Sequence, residues 1–465
     1  MYEFLICIAA LVFLMLVAYR GFSVILFAPI AAMGAVFLTQ PSAVLPVYSG
    51  LFMQKMVVFV ELYLPAFILG ALFGKVIEMS GFARAIVTTV VRLVGAEQAM
   101  LSMVLVGALL TYGGVSLFVV VFAVYPFAAE MFRQSNIPKR LIPGTIALGA
   151  FTFTMDSLPG TPQIQNIIPT TVFHTTGMSA PILGTIGSIY ILILGILYLN
   201  WRRKSAQAAG EGYGTGHINE PDVVDKSITV HPLIAILPLV VVGVANLVFT
   251  RWVFPAVYGA KVSVTLAPNG TPIVQAVDKM VGIWSVEVAL VLGILTVLVF
   301  AWKAVSAKFA EGSKAAIGGS LLATINTASE YGFGAVIAAL PGFLIAKHAL
   351  MAIPNPLVNE AITVTTLAGI TGSASGGLSI ALAAMGDQFV AAAAAAHIPL
   401  EVFHRVASMA SGGMDTLPHN GAVITLLAVT GLTHRQSYKD IFAITCIKTS
   451  AVFVIIAVYY LTGLV

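Results

Sequence analysis

The stretch Met155-Asp156-Ser157-Leu158-Pro159 recurs 259 residues later as Met414-Asp415-Thr416-Leu417-Pro418, and each copy is set in chain otherwise apolar enough to cross a bilayer. An acid in the hydrocarbon core costs on the order of several kcal/mol unless it faces a partner or a watery cavity, so an intramembrane carboxylate marks a functional site. The proline three residues on adds a second constraint. It lacks a backbone donor and clashes with the preceding turn, so each copy predicts an interrupted membrane helix whose freed backbone groups are satisfied inside protein.

The composition around these stretches is that of an integral membrane protein. Of 465 residues, 59% are hydrophobic and only 9% charged, with a mean hydropathy of +0.99, whereas a soluble chain carries about 25% charged residues. The net charge of +4 comes from loops and gives no nucleic-acid partner. Two cysteines, Cys7 and Cys446, both in apolar spans, exclude a disulfide framework and a zinc cluster. The first apolar stretch follows Glu3 and no basic segment, so it reads as a retained helix and not a cleaved leader.

Apolar stretches near the roughly 20 residues that a spanning helix needs lie at 4–19, 22–38, 56–74, 182–200, 231–249, 284–302 and 441–463. Three more are interrupted: 141–177 around Asp156 to Pro162, 316–346 at the polar patch Asn326 to Glu330, and 405–433 around Asp415 to Asn420. Segments 99–131 and 358–396 carry small polar residues at their middles, and each half is short for a crossing, so both read as re-entrant hairpins. The expectation is an all-α membrane protein of about ten transmembrane helices, two re-entrant hairpins and discontinuous helices.

With that layout sixteen of the 23 basic residues fall on one face, and Lys55, Arg251, Lys261, Lys279, Lys347 and Arg405 on the other, while Lys448 falls inside a span. The sixteen-residue face is cytoplasmic by the positive-inside rule, which puts both termini outside. The Gly-rich polar segment from Ser205 to Ser227 reads as a flexible cytoplasmic linker. The duplication extends beyond the acids: Gly74-Lys75-Val76-Ile77 matches Gly334-Ala335-Val336-Ile337, and Ile137-Pro138 matches Ile398-Pro399. The division is therefore 1–204, a linker 205–230, and 231–465, each half with one hairpin and one broken helix. The two copies enter the membrane from opposite sides, the inverted-repeat plan of secondary transporters that hold substrate where broken helices meet.

Four motifs, Tyr112-Gly113-Gly114-Val115-Ser116, Asp156-Ser157-Leu158-Pro159-Gly160, Gly372-Ser373-Ala374-Ser375-Gly376-Gly377 and Asp415-Thr416-Leu417-Pro418-His419-Asn420-Gly421, resemble those of the gluconate permease (GntP) family of proton symporters. The resemblance covers most of the chain. It implies a multi-pass protein of the bacterial inner membrane that imports gluconate, another sugar acid or a hydroxy-monocarboxylate such as 3-hydroxybutyrate together with protons. It also implies kinship with the ion transporter superfamily, an elevator motion and a homodimer that supplies a fixed scaffold. The Ser-Asn-Thr hairpin signature of sodium-coupled relatives is missing, so the coupling ion implied is the proton; a sodium-coupled carboxylate symporter is the alternative.

The residues support an anionic substrate on their own. Second arms of the hairpins from about Val115 and Leu378, and second halves of the broken helices from about Thr161 and Asn420, would aim four helix N-termini at the centre. Each presents unpaired amides and roughly half a positive charge, and none of the motifs contains an arginine. Candidate substrate-binding residues are Tyr112, Gly113, Gly114, Ser116, Ser157, Thr161, Gln163, Gly372, Ser373, Ser375, Thr416 and Asn420, in which glycines admit close approach and hydroxyl and amide groups suit a polyhydroxylated acid. No catalytic residue, metal or cofactor is expected. Carrying one negative charge inward against 100 mV costs about 2.3 kcal/mol, which excludes the anion roughly fifty-fold. Accumulation therefore needs a cation, and Asp156, Asp415 and His419 are the titratable groups nearest the proposed site.

Plainer readings accompany each feature. Asp before a helix start is often an N-cap, and small residues at hairpin tips serve helix packing. Glu330 fits a structural role, Glu130 and Asp387 a solvated one, and His174, His397, His404 and His434 positions in loops or at the interface. Gly210 to Gly216 imitates a nucleotide loop but follows no strand. The rival of another class is an intramembrane aspartyl protease whose two acids share a proton; the repeated proline and the hairpins have no role in it.

Overall fold

Asp156 and Asp415 each close a helix that the sequence then refuses to continue, because Pro159 and Pro418 offer no amide to a helical ladder. The computed structural model describes residues 2–20, 22–95, 98–115, 117–221, 230–259, 261–266, 271–345, 352–418 and 420–465. The first broken helix runs Ile142–Ala150, resumes briefly as Phe153–Asp156, and restarts as Ile164–Phe173. The second runs Leu400–Gly412, tightens into the 3-10 turn Gly413–Thr416, and restarts as Gly421–Thr430. Helix Ile164–Phe173 packs against Leu400–Gly412, so the breaks are brought together.

Each expected hairpin is a pair of packed helices joined by a glycine turn. In the first, Ala99–Tyr112 and Leu117–Gln134 flank Gly114, whose φ of +92° suits only a residue without Cβ. In the second, Pro356–Thr371 and Ala374–Ala396 flank Gly372 at φ +66°. The arms of the second lie so close that a Cβ on Gly377 would collide with the backbone of Ala368.

Six helical runs among the described residues are long and apolar enough to cross a membrane: Pro41–Met79, Pro181–Ala208, Pro232–Tyr258, Met280–Ser306, Ala374–Ala396 and His434–Thr462. One of them corrects the hairpin reading. Ala374–Ala396 has 23 residues, about 35 Å of helix at 1.5 Å per residue, and so is not short for a crossing; it begins four residues before the expected Leu378.

The polar patch Asn326 to Glu330 does not interrupt its helix, which is continuous over Phe309–Ala339. Thr327 and Ser329 satisfy their hydroxyls on carbonyls one turn back, at Ala323 and Ile325 (3.1 and 2.8 Å), so the patch asks for no break. Two elements are additional. An antiparallel ribbon, Lys261–Val264 with Ile273–Ala276 in the register Lys261 to Ala276, departs from a purely helical chain. Helix Phe82–Val94 buries Phe82, Ala85, Ile86 and Val87 and is bounded by Gly81 and Gly95, both at positive φ.

The linker is strapped down where the structure describes it. Arg140 Nε and Nη2 donate to Glu211 at 2.6 and 2.7 Å, and those bonds hold its carboxyl below the usual carboxylate range. Glu220 pairs with Lys139 and Arg133, and Asn219 donates to Ala428 O at 2.9 Å. Residues 211–220 are thereby tied to the first hairpin, the first broken helix and the end of the second.

Candidate functional site

Each hairpin tip is tied to the nearer break by side-chain bonds from residues that the sequence singles out. Tyr112 donates its hydroxyl to Pro159 O at 2.8 Å, and Gln163 donates Nε2 to Thr111 O at 2.7 Å, so the first tip and first break are one unit. On the other side Asn420 donates Nδ2 to Gly372 O at 2.8 Å and accepts Ala422 N at 2.7 Å, capping helix Gly421–Thr430 while it holds the second tip.

Asp156 is completely buried. Its Oδ2 forms an ion pair with Lys448 Nζ, which comes from the middle of His434–Thr462, and its Oδ1 accepts the Ser157 hydroxyl at 2.8 Å. Lys448 also donates to Phe151 O at 3.2 Å. Gly412 makes the contact possible: a Cβ there would strike both the Asp156 carboxylate and the Lys448 ammonium. Asp415 has neutral partners instead. Oδ1 accepts Ala374 N at 3.0 Å, from the N-terminus of the second hairpin's outgoing arm, and Asn420 Nδ2 at 3.1 Å. Oδ2 accepts Gln165 Nε2 at 3.0 Å, a bond that crosses from the first break to the second.

Arg405 corrects the expectation that it faces outside, and it brings to the first break an arginine from beyond the four motifs. It is fully buried and donates five hydrogen bonds, to Asp156 O (2.6 Å), Asn166 Oδ1 (3.0 Å), Gly177 O (3.3 Å) and twice to Ser179 O (2.7 and 3.2 Å). A guanidinium satisfies several carbonyls that a broken helix leaves open. Ser408, one turn on, donates to Asp156 O at 3.0 Å and Gln165 O at 2.9 Å. His404 is buried as well, not interfacial. Asn166 Nδ2 is committed to Thr161 O and Gly177 O, which leaves Oδ1 as acceptor, so His404 donates from Nε2 and accepts the Thr175 hydroxyl at Nδ1.

The remaining expected residues divide. Ser373 caps helix Ala374–Ala396 by accepting Gly376 N at 3.1 Å, with Ser375 Oγ 3.5 Å away. Thr161 is buried, its hydroxyl without a partner among the described residues. Gly113 packs under Leu239 and Gly114 under Pro162. Thr416 turns away from the tips to Thr445, 2.6 Å between hydroxyls. Ser116 and His419 lie outside the described residues. Glu330 sits against Gly376, where a Cβ would meet its carboxylate. The residues that sequence reasoning missed are Lys448, Arg405, His404, Gln165, Asn166 and Ser408; the rule that flagged the acids, a charge in an apolar run, applies equally to Lys448 and Arg405.

Two cavities adjoin these elements, the smaller beside the first break, where Met178 packs on Gly160. One of about 390 Å³ is lined by Thr176, Met178, Thr250, Arg251 and Glu401, and one of about 630 Å³ by linker residues with Arg133 and Asn136. Among the described residues no cluster of His, Cys, Asp or Glu has the makings of a metal site.

No protein-family model matches the chain. The chain is 59% identical over 477 aligned positions to YxjC, an uncharacterized transporter of Bacillus subtilis strain 168, with the whole of both chains covered. Among solved structures it is similar to the crystal structure of the YdaH transporter of Alcanivorax borkumensis, reported for its unusual topology, at a TM-score of 0.51 and 15% identity over 89% of this chain and 88% of that one. At that identity the likeness is one of fold. With six span-length apolar helices, these likenesses identify a multi-pass membrane protein.

Proposed function

The chain belongs to the transporter family that includes YxjC, and on that premise we propose that it is a secondary active importer of a small hydroxylated carboxylate, driven by proton symport. The observation that carries this reading is the pair of broken helices, each closing on a buried acid, each tied to a hairpin tip, and bridged to one another by Gln165 and Asp415. Secondary carriers hold substrate where discontinuous helices meet. Four helices start beside the breaks, at Leu117, Ile164, Ala374 and Gly421, and a helix start favours an anion; at the last two, the Ala374, Gly376 and Ala422 amides are already taken by Asp415, Ser373 and Asn420.

Charge balance supports the proton. Asp156, Asp415, Lys448 and Arg405 sum to zero when ionised, so a bound carboxylate adds one negative charge that one proton cancels. An inverted repeat, an elevator motion, a homodimer and a bacterial inner-membrane location complete the proposal; its resemblance to gluconate permeases is what points to sugar acids or hydroxy-monocarboxylates. A protease dyad is disfavoured because Asp156 is engaged by Lys448 and not by Asp415. The test is uptake into proteoliposomes from a panel of labelled small acids under an inward proton gradient. Concentrative uptake of at least one, collapsed by a protonophore, is expected; uptake that equilibrates without concentrating, or follows sodium alone, would refute it.

A further inference from the structure

We propose that Asp415, not Asp156, takes the transported proton, and that Gln165 follows its protonation state by turning its side-chain amide. The inference rests on the proton-symport reading and deepens it. Asp156 is engaged by a buried ammonium, and a proton placed on it would leave Lys448 uncompensated. Among the described residues no basic side chain forms an ion pair with Asp415, and Lys448, near enough to act on its charge, is paired with Asp156. Its three hydrogen bonds come from the neutral donors Ala374 N, Asn420 Nδ2 and Gln165 Nε2.

Three donors suit an ionised carboxylate, which only accepts; a protonated one must also donate. The acceptor is already at hand. Gln165 is 4% exposed, and its Oε1 has no hydrogen-bond partner among the described residues. Turning the amide through about 180°, about a terminal torsion that is broad and roughly two-fold, exchanges Nε2 for Oε1 opposite Asp415 Oδ2. The acid form then donates Oδ2–H to Oε1. No bond but O–H is made or broken, and the proton leaves by the reverse step. Because Ser408 fixes the backbone of Gln165 and of Asp156 together, the turn changes the tie between the breaks without releasing either.

The titratable groups around Asp415 are few. Helix His434–Thr462 brings Lys448, Tyr438, whose hydroxyl donates to Thr416 O at 3.2 Å, and His434, whose ring nitrogen bonds Pro418 O at 2.8 Å. Leu400–Gly412 brings His404 and Arg405, both committed to the first break. Pro356–Thr371 brings Glu360, Ala374–Ala396 brings Asp387, and Gly421–Thr430 brings none. Asp156 faces from the first break, and His419 lies outside the described residues.

The experiment is pH-difference infrared spectroscopy of the reconstituted full chain. A protonated-carboxyl C=O band is expected on acidification that is lost in Asp415→Asn, kept in Asp156→Asn and Glu360→Gln, and moved to higher wavenumber in Gln165→Met, where the acid has lost its acceptor. In wild type with isotope-labelled glutamine, a side-chain amide band should shift with the same pH midpoint. A band that survives Asp415→Asn, or is lost in Asp156→Asn or Glu360→Gln, would overturn the assignment. An unmoved band in Gln165→Met, or no glutamine shift in wild type, would overturn the amide turn. Absence of proton-driven uptake in wild type is a separate failure, that of the transport reading itself.

Discussion

The two breaks carry the same five-residue pattern and hold it by opposite means. At the first, the acid is matched by a lysine and the open backbone by an arginine, with Lys448 and Arg405 both drawn from the second half of the sequence. At the second, the acid is held by amides from Ala374, Gln165 and Asn420, and the backbone after it by the Tyr438 hydroxyl and the His434 ring. A duplicated motif thus becomes one fixed charge and one adjustable one. Pairs of titratable groups set in contrasting environments are how proteins divide such roles.

The largest effect that would break or sharpen this comparison is expected at Lys448. Lys448→Met leaves Asp156 ionised without its partner, a loss of about 3–5 kcal/mol, whereas Asp415→Asn should cost about 1 kcal/mol or less because Gln165 can turn to meet the new donor. Thermal unfolding in nanodiscs measures both. Adding Asp156→Asn to Lys448→Met should restore most of the loss. Equal penalties at the two sites would erase the distinction.

Next comes Arg405→Met, which strands the Ser179 carbonyl and removes one donor each from those of Asp156 and Gly177, which keep Ser408 and Asn166. A loss of about 2–4 kcal/mol is expected, with faster hydrogen exchange at residues 157–163 and little change at residues 417–421. Spread of the exchange to both breaks would show that the arginine serves the core at large. Smaller again is Asn420→Ala, which removes the cap of Gly421–Thr430 and the tie to Gly372. About 1–2 kcal/mol is expected, and cross-linking between the second tip and the second break should fall; an unchanged cross-link yield would deny Asn420 that role.

Much of this was legible because the signals are local. An acid and a proline in an apolar run predict a break, and glycine clusters predict a tip, so Asp156, Asp415, Gly114 and Gly372 stand where their neighbours imply. What stayed hidden is what the chain brings together from afar. Gln165 and Asp415 are 250 residues apart, and Arg405 and Asp156 249. Arg405 also sits beside His404 at the edge of an apolar run, where charge ordinarily means an interface. The continuous helix Phe309–Ala339 shows the converse: hydroxyls that bond one turn back cost a helix nothing that sequence polarity can measure.

The central claim is that a proton and a small carboxylate move together through the paired breaks. It is tested most directly by accumulation of the labelled acid in proteoliposomes under an inward proton gradient, in wild type, Asp156→Asn and Asp415→Asn. Concentrative uptake in wild type, with Asp415→Asn reduced to no more than substrate exchange and insensitive to external pH while the uptake left in Asp156→Asn still follows external pH, is the predicted result. Normal, pH-dependent accumulation in Asp415→Asn would contradict it.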